Sequence, residues 1–288
     1  MTLNELAEIY PQLYLTPGVG MSQTDEYKDV TLRGKVPEHK DLSGFVQTKE
    51  DKIFDINTPA GKVRVVYLAN REDFERFINI IYNKCEPKEY PKSMGASTIS
   101  GINNWTKINK HKMKFITQGG RDWDEEFKLF TKNPENYKDT IIVLSKGGYS
   151  AIKASDIGYT QSKWTDVSFN IRLYHECTHF ICKKLYPDNK DALLDEILAD
   201  CIGLVFALGY YDKKLAKLFL GVNENGYAGG RLENYLENNQ EDIDNVAKRI
   251  SKKIDKLSKW VENLIKDQTE GFDILIKIED NIDMIKDY

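Results

Sequence analysis

Two histidines and a glutamate at residues 175–179 could bind a metal ion and use it in catalysis. The segment reads His175-Glu176-Cys177-Thr178-His179. Residues four apart lie on one face of a helix, so His175 and His179 would present two imidazole nitrogens to one point, with Glu176 beside them. Such a pair is half of a catalytic zinc site, which takes three protein ligands and leaves the fourth position to water. The third ligand must come from elsewhere in the chain.

The flanking residues place this motif in the middle of a helix. Asp166 is a candidate N-cap, and Pro187 stops the helix after an apolar run. A second segment, residues 192–208, is apolar almost all round, which indicates a helix buried on most sides. Burying Glu196 and Asp200 one turn apart in that helix is costly without a cation or strong donors. Glu196 is therefore the candidate third ligand.

The HExxH motif followed by a helix that reads E-x-x-A-D-x-x-G resembles the gluzincin group of zinc metallopeptidases. The resemblance covers residues 175–203 of the 288-residue chain. Carried over by position, it implies three zinc ligands: His175, His179 and Glu196. It makes Glu176 the general base, and it gives Asp200 the task of holding His175 through the free ring nitrogen. It also implies that the small residues Ala199 and Gly203 let the two helices approach closely.

The remaining patterns predict an α+β protein with a zincin-like metallopeptidase domain. Residues 52–56 and 62–68 predict a β-hairpin, residues 71–84 a helix, and residues 140–145 a buried strand. A narrow apolar seam over residues 242–266 predicts a long amphipathic helix, and residues 272–285 repeat the pattern. We expect three regions: a loosely structured N-terminal segment at 1–50, the catalytic domain at 51–240, and a C-terminal helical hairpin at 241–288 packed on the same domain.

Two segments could form the edge strand along which peptidases of this type lay their substrate. These are residues 140–145 and residues 149–157, and the sequence does not choose between them. Residues 93–105 are rich in small polar residues but include Trp105. They predict either a structured loop near the cleft or a surface turn anchored by the tryptophan.

Amide hydrolysis also needs a group that stabilises the developing oxyanion. Tyr227 and Arg231 lie on or beside a glycine-rich loop downstream of the ligands, and both are candidates. The alternative interpretation is that Tyr227 packs against the core and Arg231 neutralises a nearby charge.

Composition and charge limit the compartments and the binding partners that the protein is expected to have. A formal net charge of -4 does not indicate nucleic-acid binding, and no apolar run reaches the length of a membrane span. Proteins with similar E-x-x-A-D helices are often membrane-embedded, so the chain departs from them. The first residues have neither a basic leader nor an apolar core of a signal peptide, which predicts a cytoplasmic protein. Four cysteines are too few for a disulfide framework and predict buried thiols.

These patterns predict a zinc-dependent peptidase acting on a peptide or protein substrate. In that mechanism Glu176 takes a proton from a zinc-activated water and returns it to the leaving amine. A catalytically silent binding or regulatory protein on the same scaffold is one alternative, and a zinc hydrolase of a non-peptide amide or ester is another. A homodimer formed through the C-terminal helices is an alternative to their packing on the core.

Overall fold

A four-stranded sheet forms the centre of the first of two compact units. The computed structural model describes residues 1–189, 191–236 and 241–286. The first unit comprises Met1–Ile56, Val63–Pro91 and Ser97–Lys146, and the second comprises Asn57–Lys62, Lys92–Ala96 and Gly147–Tyr288. The expected domain boundaries at residues 50 and 240 stay predictions, and residue 240 lies outside the described residues.

The strands of the sheet are β1 (Lys52–Thr58), β2 (Gly61–Leu68), β3 (Ala96–Asn103) and β4 (Lys138–Ser145). Their order is β1-β2-β4-β3, with β2 and β4 parallel. Only two residues join β1 to β2, so the pair is an antiparallel hairpin, as predicted. The run 140–145 was correctly predicted as a strand, but β4 lies inside the sheet. It therefore offers no free edge to a substrate.

The first unit contains the helices α1 (Leu3–Ile9), α2 (Asp25–Leu32), α3 (Arg71–Ile81), α4 (Trp105–Thr117) and α5 (Trp123–Phe130). Helix α1 begins at a capping box, in which Thr2 and Glu5 exchange side-chain to backbone hydrogen bonds. Leu6 and Tyr10 are buried, so the start of the chain is built into the core. Residues 33–51 contain neither helix nor strand. Within the N-terminal segment, only the residues from 33 onward thus have the loose structure that was expected.

Strand β3 occupies the segment that predicted a loop or a turn. Its sequence mixes small residues with two buried isoleucines, Ile99 and Ile102, and lacks the regular alternation that marks a strand. Asn104 then caps α4, and the ring N–H of Trp105 donates a hydrogen bond to the carbonyl oxygen of Thr31 at 3.0 Å. The tryptophan therefore fixes the start of a helix and not a surface turn.

The second unit is mainly helical around one apolar core. Its helices are α6 (Gln161–Leu185), α7 (Ala192–Leu208), α8 (Lys213–Leu220), α9 (Ile243–Lys266), α10 (Phe272–Glu279) and α11 (Asp283–Lys286). A short hairpin joins β5 (Val222–Asn223) to β6 (Gly226–Tyr227), and three 3-10 helices cover Tyr149–Ala151, Ala154–Ile157 and Arg231–Tyr235. Residues 149–157 are thus two helical turns, and the expectation of an edge strand there is wrong.

Helix α6 begins earlier than its sequence suggested. Thr160 is the N-cap and accepts the backbone N–H of Lys163, whereas Asp166 lies inside the first two turns. The buried residues Trp164 and Val167 already follow helical spacing, so their packing extends the helix upstream of the predicted cap. The end at Leu185, before Pro187, agrees with the predicted stop.

The apolar seam of α9 is buried inside the second unit. Val246, Ile250, Ile254, Leu257 and Val261 are each at most 4% exposed and belong to its core. A homodimer through this seam would require the helix to leave that core. Among the described helices, none combines the length and the apolar character that a membrane crossing requires. The mixed α+β class is confirmed, and the zincin-like arrangement stays a prediction.

Candidate metal centre

Helices α6 and α7 bring three metal-binding side chains together. The Nε2 atoms of His175 and His179 lie 3.0 Å apart. The Glu196 carboxylate faces both rings, with Oε2 at 3.6 Å from His175 Nε2 and Oε1 at 3.4 Å from His179 Nε2. The three ligand atoms lie within 4.8 Å of one another. The structure thus places the three predicted ligands around one point.

The close packing of the two helices depends on a small residue. A Cβ atom added at Gly203 on α7 would lie 2.7 Å from the backbone oxygen of Ile171 on α6. That is shorter than a normal contact, and the oxygen belongs to a helix backbone that cannot move aside freely. Glycine at this position therefore sets the distance across which Glu196 reaches the histidines.

A carboxylate holds the Nδ1 atom of each histidine. His175 Nδ1 lies 3.0 Å from Asp200 Oδ1, and His179 Nδ1 lies 2.7 Å from Asp195 Oδ2. An ionised carboxylate only accepts hydrogen bonds, so Nδ1 carries the proton in both rings. The Nε2 atoms are then the positions left to bind a metal, and they point at each other. This is the carboxylate-histidine arrangement that orients metal ligands.

The chemistry of the cluster fits a divalent zinc ion. Two nitrogens bound to one tetrahedral zinc at 2.0–2.1 Å would be about 3.3 Å apart, close to the 3.0 Å between the two Nε2 atoms. In the part of the chain that the structure describes, Glu196 Oε2 is buried and has no hydrogen-bond partner. A buried carboxylate oxygen without a donor is costly, and a cation at the focus of the three ligands would remove that cost. Three protein ligands leave one position of a tetrahedral site open.

The charges around the cluster keep the Glu196 carboxylate ionised, which is the form that binds a cation. Burial raises the pKa of Glu196, but the neighbouring His179, His175 and Arg231 outweigh burial and hold it well below its ordinary value. Burial lowers the pKa of His179, but hydrogen bonds with Asp195 and Glu196 and the charges of Glu196 and Glu176 raise it well above the ordinary value. A metal that binds His179 must therefore displace a proton.

Glu176 is a buried acid next to the candidate ligands. It is 7% exposed, follows His175 directly on α6, and its negative charge acts on the ring of His179. A structural zinc site has no need of such a carboxylate, because four protein ligands close it.

Arg231 and Tyr149 hold Asp200, the acid that contacts His175. The hydroxyl of Tyr149 donates to Asp200 Oδ1 at 2.6 Å and lies 2.9 Å from His175 Nδ1. The guanidinium of Arg231 donates to Asp200 Oδ2 and, at 3.2 Å, to the Tyr149 hydroxyl. Arg231 was predicted as an oxyanion-stabilising group, and its Nη1 atom also lies 3.9 Å from Glu196 Oε2. Its contacts agree with the alternative, in which it neutralises a charge.

A rigid turn presents Tyr149 to Asp200. The Tyr149 backbone N–H donates to the buried hydroxyl of Ser168, and the guanidinium of Arg172 donates to the carbonyl oxygens of Gly147 and Gly148 just upstream. The two residues after Tyr149 are Ser150 and Ala151, and both have positive φ angles, 53° and 59°. Residues with a Cβ rarely adopt this left-handed conformation, so the turn is strained.

Tyr227 takes no part in the cluster. Its hydroxyl donates to the carbonyl oxygen of Gly230 and accepts the N–H of the same residue, at 2.8 and 2.9 Å. Its ring packs against the apolar core. The structure therefore gives Tyr227 the packing role that was the alternative to catalysis.

Three residues beside the ligands were not predicted from the sequence. Asp195 precedes Glu196 and holds His179, and Tyr149 lies in a segment for which an edge strand was expected. Tyr235, at the end of a 3-10 helix, interacts with Glu196; burial and the Glu196 charge raise its pKa, although Arg231 opposes this. An acid next to a candidate ligand was a usable signal for Asp195. No sequence pattern singles out the two tyrosines.

The fold and the cluster define a mixed α+β protein with a largely buried group of three metal-ligating side chains. The chain belongs to the Family of unknown function (DUF7005), whose family model matches residues 2–281. No curated protein and no solved structure matches the chain.

Proposed function

We propose that the protein is a zinc-dependent peptidase. The observation that carries the proposal is the convergence of His175, His179 and Glu196 on one point, with both rings held in the ligand tautomer by acids. Glu176 supports catalysis over a purely structural role, since it adds a base that a structural site lacks. The resemblance to gluzincins agrees with this choice of residues.

Each residue of the cluster has one task in this proposal. His175, His179 and Glu196 would hold the ion, and their charges leave it one net positive charge. Zinc, when bound, acidifies water and polarises a carbonyl group. Glu176 accepts the proton from the attacking water and returns it to the leaving amine nitrogen. Asp195 and Asp200 keep the rings oriented, and Tyr149 and Arg231 keep Asp200 in place.

The group that stabilises the oxyanion is Tyr235 in this proposal, in place of Tyr227 or Arg231. Its hydroxyl interacts with Glu196, and its raised pKa keeps it protonated and able to donate. Arg231 donates to Asp200 and Tyr149 and forms an ion pair with Glu196, so its charge already serves two acids, and Tyr227 is hydrogen-bonded to Gly230.

The compartment proposed for the enzyme is the reducing cytoplasm. All four cysteines are free and buried. They contribute to packing and form no cross-link, which is the pattern of proteins from reducing compartments.

The test combines metal analysis with a peptide-library digest of the full chain and its Glu176→Gln variant. We expect both proteins to carry about one zinc per chain and only the native chain to cleave peptides. Equal cleavage by the variant would remove Glu176 from the mechanism. Zinc binding without cleavage of any peptide would favour the silent scaffold or a non-peptide substrate.

A further inference from the structure

A helical hairpin in the first unit is left largely uncovered. The α4–α5 hairpin consists of the two helices and the turn between them, residues 105–130. No residue from 109 to 137, a range that the structure describes in full, is buried. Aromatic rings join the two helices: His111 stacks on Phe130 with centroids 4.1 Å apart, and the centroids of Phe115 and Trp123 lie 6.2 Å apart. Much of the surface of both helices is therefore open to another molecule.

Apolar side chains are exposed on both helices of the hairpin. Met113 is 61% exposed, Ile116 is 49% exposed and Leu129 is 52% exposed. Met113 and Ile116 are three residues apart on α4, so they are neighbours on one side of that helix. Covering such side chains with another molecule removes apolar surface from water, which is favourable.

The charges of the hairpin are divided between its two helices. Helix α4 contains four lysines and no acid, whereas the N-cap and the first turn of α5 contain four acids. The lysines are Lys107, Lys110, Lys112 and Lys114, and the acids are Asp122, Asp124, Glu125 and Glu126. A basic helix thus lies beside an acidic one.

Some of these charges already have partners within the first unit. Lys107 pairs with Asp139 at 2.6 Å, and Glu126 Oε1 lies 2.6 Å from His111 Nε2. Four other charged residues are exposed and have no ion-pair partner among the described residues. They are Lys110, Lys114, Asp124 and Glu125. These four can pair with charges on another molecule.

This division of charge favours a second copy of the chain over a membrane or a nucleic acid. An anionic bilayer or a phosphate backbone would attract the lysines of α4 but repel the acids of α5 beside them. A basic partner would meet the opposite conflict. The same hairpin in a second copy offers both signs of charge, and a two-fold axis forms each contact twice.

We propose that the chain forms a two-fold symmetric dimer through the α4–α5 hairpin. The basic α4 of each copy faces the acidic α5 of the other, so that Lys110 and Lys114 approach Asp124 and Glu125 of the second copy. Contact between the two α4 helices is disfavoured, because lysines would face lysines. The exposed apolar side chains of the hairpin lose contact with water on association. The interface contains no residue of the metal centre, so it does not depend on the proposed peptidase activity.

Sedimentation equilibrium of the full chain tests the dimer directly. We expect a mass twice that of one chain, with or without a metal chelator. A native chain that stays monomeric at high micromolar concentration would overturn the proposal. If that monomer cosediments with vesicles of phosphatidylserine and phosphatidylcholine, the hairpin binds an anionic bilayer in place of a second copy.

Two charge-reversed variants test the pairing of the helices. Lys110→Glu with Lys114→Glu makes both helices acidic, and Asp124→Lys with Glu125→Lys makes both basic. Each variant alone should have its dimer dissociation constant raised about 100-fold or more, because like charges then face each other. An equimolar mixture of the two should restore the dimer, since every acidic helix again meets a basic one. A mixture that stays monomeric, with both variants folded by circular dichroism, would reject the pairing.

Two further variants locate the interface. Met113→Lys changes an exposed side chain, so it should dissociate the dimer without loss of folded structure. Lys252→Glu with Lys259→Glu makes the same change of net charge on exposed residues of α9 and should leave the dimer intact. Dissociation by this control pair would show that net charge, and not the hairpin, controls association. A native dimer that survives Met113→Lys and both charge-reversed variants would place the interface elsewhere and reject the hairpin.

Discussion

Each histidine of the cluster has a carboxylate of its own, and the two carboxylates differ in their surroundings. Asp200 is 1% exposed and is held by Tyr149 and Arg231. Asp195 is more exposed, at 30% of its side chain, and its second oxygen is buried without a hydrogen-bond partner among the described residues. The carboxylate that holds His175 is therefore supported by a network, whereas no such network is seen around Asp195 among the described residues.

Removing either carboxylate charge should weaken zinc binding. Asp195→Asn and Asp200→Asn are expected to lower zinc affinity about 10- to 100-fold, because each ring loses the acceptor that orients it. Competition with a chromogenic chelator measures the affinity. Asp188→Asn is the control, since Asp188 is exposed and lies between the two motifs. Native affinity in both site variants would show that the carboxylates do not orient the ligands.

Zinc affinity should increase with pH. The pKa of His179 is raised, because Asp195 and Glu196 together outweigh the effect of burial. Below that pKa the ring is protonated, and zinc must displace the proton, so affinity rises with pH until the ring is neutral. Isothermal titration in buffers of different ionisation enthalpy reports the proton released. Asp195→Asn should shift the rise to lower pH, and an affinity that does not vary from about pH 6 to 8 would contradict this assignment.

At the scale of elements, the contact between α6 and α7 sets the spacing of the ligands. A Cβ added at Gly203 meets the Ile171 backbone oxygen at 2.7 Å. Gly203→Ala should therefore push the helices apart, lower the free energy of unfolding by about 1–3 kcal/mol and weaken zinc binding. Urea unfolding and chelator competition measure the two effects. Gly18→Ala, where the added atom meets nothing within 4 Å, should leave both unchanged.

The sequence predicted those elements whose own residues specify them. Helices α3, α7 and α9 have strong apolar patterns, and the HExxH spacing by itself identifies two ligands. Strand β3 was missed because its residues are small and polar, and its stability comes from pairing with β4. The position of β4 inside the sheet was not predictable, since strand order depends on contacts between segments far apart in sequence.

The candidate site likewise contains residues that the local sequence identifies and residues that only the fold brings to it. His175, Glu176, His179 and Glu196 are recognisable from residue type and spacing. Tyr149, by contrast, reaches the cluster from a different segment, and only the fold shows its contact with Asp200. Tyr227 and Arg231 were chosen by their place in a glycine-rich loop. Tyr227 is hydrogen-bonded to Gly230, outside the cluster, whereas Arg231 donates to Asp200 within it.

At the scale of the whole molecule, the cysteines should be inert while the chain is folded. Burial raises the pKa of Cys85 and of Cys177 to about 12, and it also raises the pKa of Cys182 and of Cys201. Thiolate is the reactive form, so Ellman's reagent at about pH 8 should modify no cysteine in the native chain. All four should react once the chain is unfolded in guanidinium chloride. Rapid modification before unfolding would show that the cores open.

The left-handed turn at Ser150 and Ala151 bears on how long the site keeps its shape. A glycine could adopt these φ angles cheaply, but it would also let the loop sample many other conformations. Side chains with a Cβ leave the loop few alternative conformations, and this restricts where the Tyr149 phenol can lie. A short stretch of backbone thus limits the positions open to the Tyr149 hydroxyl and, through Asp200, to the ring of His175.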